Sequence, residues 1–214
     1  AGLPGTRKEV QNVGGILKAK GLPYKTVTGA EATESMIKDQ KQVRTLHIAT
    51  HGYFLADPAP TGKVFGISAD HASDNPLLRS GLMFANAGLT LEGGAIKSLE
   101  NNDNGLLTSY EAMNLTIEGL ETVVLSACET GLGDVKAGEG VYGLQRAFLV
   151  AGAESLLMSL WTVNDEATQE LMTSFYQNWT SGKTKEEALR SAQIKLKTKF
   201  KHPYYWGAFV MVER

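Results

Sequence analysis

The chain has one cysteine, Cys128, in "TVVLSACETG" (122–131), just past a run of β-forming residues. Free cysteine is often a small buried hydrophobe. A nucleophilic cysteine instead needs access to substrate and a base or cation that favours its thiolate. A base stands in a matching place: "RTLHIATHG" (44–52) puts His51 just past a second apolar run, and Gly52 permits a tight turn directly after it. A single cysteine with a histidine distant in sequence is the pattern of a nucleophile and its base. Asp165, in "LWTVNDEAT" (160–168), follows a third such run. It either caps the helix beginning there or offers a carboxylate to a basic side chain.

Other chemistries fit less well. His47 and His51 share one face of a strand and, with Cys128, raise the question of zinc, but closely spaced Cys or His pairs and a fourth ligand are missing. His47 therefore reads as a hydrogen-bonded core residue. Gly138 to Gly143 match G-x-G-x-x-G, yet more than ten residues separate them from the preceding strand, where a dinucleotide fingerprint follows its strand directly. There is no P-loop and no G-x-S-x-G elbow.

The elements that must position these residues alternate. "LPGTRKEVQNVGGILKAKG" predicts a helix, with Thr6 and Glu9 at capping-box spacing and Val10, Val13, Ile16 and Leu17 recurring on one face. "YKTVT" (24–28) reads as a strand, a short helix falls within 31–40, and "RTLHIAT" (44–50) is a strand. A loose Gly, Pro, Asn and Asp region over 53–105 is broken by "GLMFANAG" (81–88). Then come a short helix at 108–114, the strand at 122–126, a helix at 140–152, a strand at 155–160, two amphipathic helices and a closing strand in "WGAFVMV" (206–212). Such alternation predicts a mostly parallel sheet flanked by helices, an α/β three-layer sandwich. Ligands in such sheets bind beyond the carboxyl ends of the strands, where Cys128, His51 and Asp165 all fall. Residues 53–80 and 131–140 flank that rim and are expected to be mobile without substrate.

The 214 residues carry a net charge of −2, which gives no electrostatic footprint for nucleic acid or an anionic membrane. One cysteine forms no internal disulfide, no apolar run reaches membrane-spanning length, and no signal-peptide pattern opens the chain. A single cytoplasmic domain over 1–214 is the expectation.

Six blocks, "LHIATHGYF", "NPLLRSGLMFANA", "LLTSYEAMNL", "VVLSACETGLG", "GEGVYGLQRAFLVAGAESLLMSLWTVND" and "YYWGAFVMV", resemble the successive blocks of the CHAT domain. This is a caspase-like peptidase domain often fused to tetratricopeptide repeats in bacteria. The resemblance implies a caspase–hemoglobinase fold and a His-Cys dyad at His51 and Cys128, with the oxyanion held by the amides of Gly52 and Cys128. "LWTVND" is also similar to a stretch of separase in which an aspartate receives a P1 arginine, which makes Asp165 the candidate specificity acid. Family members usually have a strand before "LPGTRKEV", so the chain reads as a fragment with a repeat or regulatory region upstream. The implied activity is a cysteine endopeptidase acting on protein or peptide substrates without metal or cofactor. The rival from another class is a catalytically latent signalling or interaction module. An acyltransferase or transpeptidase using the same thiol is a third.

Overall fold

The computed structural model describes residues 4–54, 63–64, 67–68, 76–91, 103–126, 128–129, 139–161 and 164–214. Helix α1 (Pro4–Ala19) opens on proline, whose missing N–H costs nothing in a first turn. Thr6 and Glu9 therefore lie inside the helix and form no capping box. Gly21, at φ 67, turns the chain out. Residues 24–28 join neither sheet. The segment runs back along α1, with the Tyr24 ring against Gly14, so its local β-preference finds no partner strand.

The remaining elements follow as α2 (Glu34–Lys38), β1 (Thr45–Ile48), β2 (His51–Phe54), the two-residue strands β3 (Lys63–Val64) and β4 (Ile67–Ser68), β5 (Ser80–Met83), α3 (Ala87–Leu91) and β6 (Leu106–Thr108). After them come α4 (Ser109–Met113), β7 (Thr122–Leu125), β8 (Cys128–Glu129), α5 (Glu139–Val150), β9 (Ser155–Ser159), α6 (Asp165–Trp179), α7 (Lys185–Lys199) and β10 (Phe209–Glu213). From Glu139 the Gly138–Gly143 match lies in α5; Gly138 falls outside the described residues.

The main sheet has the order β1-β7-β9-β10, parallel except for β10. Side chains alternate across it. Leu46, Ile48, Val123, Leu125, Leu156 and Met158 enter one core with Leu144, Ala147 and Phe148 of α5. Val124 and Leu157 enter the opposite core with Val13 of α1, Leu171 and Phe175 of α6 and Leu196 of α7. Apolar surface on both faces is what a parallel sheet between two helical layers demands. The three-layer α/β/α architecture expected from the alternation is the one observed.

A second sheet, in the order β6-β5-β2-β8, lies beyond the first. β2 follows β1, and β8 follows β7, after two residues in each chain. Of the segments expected to be mobile, most of 53–80 and all of 131–138 fall outside the described residues.

Candidate active site

The site is built where two neighbouring strands break together. Within the main sheet Ile48 is the register partner of Leu125; beyond the break His51 is the partner of Cys128, and Gly52 of Glu129. The offset between the two chains is the same on both sides of the break. The backbones of His51 and Cys128 consequently run side by side at the parallel-strand spacing of about 4.8 Å. The Ser126 amide donates to the Ile48 carbonyl at 3.0 Å and ties the two chains together at the break itself.

His51 is half-buried and Gly52 is buried. Burial pushes the His51 imidazole below its ordinary pKa, while the negative charge of Asp165 works the other way. A neutral imidazole at neutral pH is the form that accepts a proton. The preceding Thr50 hydroxyl donates to the Met83 carbonyl on β5 and anchors this strand to the second sheet. Tyr53 is 2% exposed, and its register partner is Gly81. A Cβ on Gly81 would stand 2.7 Å from the Tyr53 hydroxyl and 2.3 Å from the Leu107 carbonyl, so only glycine admits that ring and strand β6 together.

Asp165 is the first residue of α6, but Asn164 caps that helix: its side chain accepts the Ala167 amide at 3.1 Å. The capping alternative for Asp165 is thereby removed. Asp165 is exposed, within electrostatic reach of His51, and lies against the first turn of α1. A Cβ on Gly5 would approach Asp165 Cβ to 2.9 Å and Oδ2 to 3.0 Å. An exposed carboxylate discriminates among side chains less than the partly shielded one expected from sequence.

His47 is, as expected, a hydrogen-bonded core residue. Its Nδ1 is 2.9 Å from the Tyr176 hydroxyl and its Nε2 is 2.9 Å from Glu9 Oε1. With both nitrogens so engaged it is not available as a metal ligand. Glu9 Oε2 accepts from the Ser126 hydroxyl at 2.9 Å. Glu9 and Ser126 are 3% and 7% exposed. Sequence reading misses this role, although Glu9 lies four, seven and eight residues before Val13, Ile16 and Leu17 and so falls on the apolar face of α1.

The second sheet has its own buried acid. Glu34, fully buried on α2, accepts the amides of Asn104 and Gly105 at 3.0 and 3.1 Å and pairs with Lys38. Lys38 also reaches Glu111 at 2.8 Å. Burial pushes the Glu34 carboxyl up to about 7 against the pull of Lys38. The Gly105 carbonyl accepts the Phe84 amide at 2.7 Å just past β5, so this cluster supports the sheet that carries His51.

Among the described residues no helix is long and apolar enough to cross a membrane. The family model of the CHAT domain matches residues 1–214. The chain is 26% identical over 218 residues to human tetratricopeptide repeat protein 28, an alignment covering 98% of this chain and 8% of that protein. It is 32% identical over 109 residues to the mouse protein of the same name, covering 50% of this chain and 4% of the relative. The chain thus spans less than a tenth of the length of these relatives. It belongs to the CHAT domain family, a branch of the caspase-like superfamily.

Proposed function

We propose that the chain is a cysteine endopeptidase domain with Cys128 as nucleophile and His51 as its base. The observation that carries the reading is the in-register pairing of His51 and Cys128 across the double strand break, at the carboxyl ends of β1 and β7. In the first half-reaction His51 takes the Cys128 proton, and the sulfur attacks the scissile carbonyl carbon. A C–S bond forms, charge moves to the carbonyl oxygen, and the amides of Gly52 and Cys128 receive it. On collapse the C–N bond breaks, and His51 gives its proton to the departing amine. Water, activated by His51, then hydrolyses the thioester. No metal or organic cofactor takes part. Asp165 receives a basic P1 side chain, with arginine favoured over lysine where two hydrogen bonds form.

A second reading, an interaction module within a larger repeat protein, draws support from the relatives. They are named for tetratricopeptide repeats, and the matched region is a small part of each. A repeat or regulatory region preceding the domain in the full protein, and a cytoplasmic setting, suit both readings.

Hydrolysis of a peptide library by the parent, Cys128→Ala and His51→Ala tests the choice. The peptidase reading expects turnover in the parent and nearly none in either variant, with the double variant no slower than the singles. Unchanged cleavage in Cys128→Ala overturns it.

A further inference from the structure

The acid of α1 lies under the site and has no place in the dyad chemistry. Tyr176 on α6, His47 on β1, Glu9 on α1 and Ser126 after β7 form one hydrogen-bonded chain with links of 2.9 Å. Its members are largely buried on the side of the main sheet where Val13, Val124 and Leu157 pack. A buried carboxylate in such a setting adds little stability over a well-packed apolar residue, so its presence calls for another account. What it does geometrically is specific. Ser126 stands two residues before Cys128, at the point where the β7 chain leaves the main sheet. Its amide is tied to the Ile48 carbonyl and its hydroxyl to Glu9, so the take-off of the chain towards Cys128 is held from two directions. The neighbouring strand has a matching anchor at its own break, Thr50 on the Met83 carbonyl.

We infer that Glu9 is a positioning residue for the nucleophile: by holding Ser126 it sets where Cys128 stands beside His51. This rests on the dyad reading above. Because Cys128 is the only cysteine, its alkylation by iodoacetamide reports that one thiol without ambiguity.

The test compares alkylation rate, kcat, KM and thermal midpoint in the full chain for Glu9→Ala, Ser126→Ala, Ser126→Thr and His51→Ala. Leu196→Ala on α7 serves as a control that lowers stability without removing a hydrogen-bonding side chain of this network. Ser126→Ala and Glu9→Ala are expected to slow alkylation and lower kcat about tenfold, and at most by the roughly 100-fold that 1 Å of misplacement costs, with KM little changed. Ser126→Thr keeps the hydroxyl and recovers most of the loss, while Leu196→Ala lowers only the midpoint. If Glu9→Ala does not fold, Ser126→Ala decides, since it leaves the Glu9–His47–Tyr176 contacts in place. Parent rates in Ser126→Ala, with His51→Ala slow, overturn the positioning role and leave the dyad standing. Slow alkylation in Ser126→Ala with a parent rate in His51→Ala does the reverse. A Cys128 that resists alkylation until the chain unfolds overturns both.

Discussion

The two sheets that meet at the breaks after Ile48 and Leu125 differ in the balance of what holds them. The main sheet is held by apolar packing: every residue of β7 and of β9 is buried, and helices cover both faces. The second sheet buries Leu82 and Leu107 but adds small residues and polar contacts. Gly81 makes room for Tyr53, the Ser80 and Ser109 hydroxyls meet at 2.7 Å, and Thr108 caps α4 in a capping box with Glu111. Glu34 holds the turn before β6 through two amides. The difference teaches a division of labour. Packing in the main sheet supplies most of the stability, whereas hydrogen bonds, the Glu9–Ser126 link at the break and those around the second sheet, fix direction, which a nucleophile and its base require.

Damage to each sheet separately tests this division. Phe175→Ala empties a fully buried site beside Tyr176 and Trp179, whose rings lie 5.3 and 5.5 Å away. It should cost about 3–5 kcal/mol in denaturant unfolding while slowing Cys128 alkylation in the folded fraction less than Glu34→Ala does, since every hydrogen-bonding member of the Glu9 chain is kept. Glu34→Ala removes the acceptor for the Asn104 and Gly105 amides and should cost about 1–3 kcal/mol. Hydrogen exchange at residues 104–105 should rise well beyond the global change, and alkylation should slow. If Phe175→Ala slows the thiol more than Glu34→Ala does, the division fails.

The smallest effect concerns the rim. Asp165→Asn removes the charge that opposes burial at His51, so the imidazole should titrate at still lower pH by NMR. The unfolded chain takes up the His51 proton at about pH 6.5, above the folded value. The His51 contribution to stability is therefore present above that pH and lost as pH falls towards the folded value, and Asp165→Asn extends the window downward. Because Asp165 is exposed, the loss on arginine-P1 peptides should stay within the roughly 1 kcal/mol of a surface ion pair, about fivefold in kcat/KM. An equal loss on leucine-P1 peptides would remove it from substrate recognition.

The same contrast decides what can be read from sequence. "TVVLS" and "SLLMS" announce buried parallel strands because their central residues are apolar on both faces with no alternation, and α6 and α7 show their apolar stripes openly. The placing of His51 and Cys128 at two strand ends is equally legible, since it needs only local pattern and parallel order. Their register is not, because a parallel pairing is set by packing far apart in sequence. Asn164 takes the cap one residue before Asp165, a shift of the size at which helix starts are hardest to place. Residues 24–28 have the composition of a strand but lie over Gly14 of α1 instead. Glu9 matches a capping box with Thr6 only as long as the helix is taken to start later than Pro4. Its partners His47 and Ser126 are 38 and 117 residues away, beyond any local signal.

The pairing of His51 with Cys128 as one catalytic unit is tested most directly by trapping. A peptidyl chloromethyl ketone with arginine at P1, followed by intact-protein mass measurement and peptide mapping, reads both the site and the rate of attack. One adduct per chain is expected, on Cys128, with chloride displaced and peptidase activity lost in step. His51→Ala should slow its formation by about 100-fold or more, the range in which a positioned base acts. An adduct forming at the same rate in His51→Ala would show that His51 and Cys128 do not act as one unit.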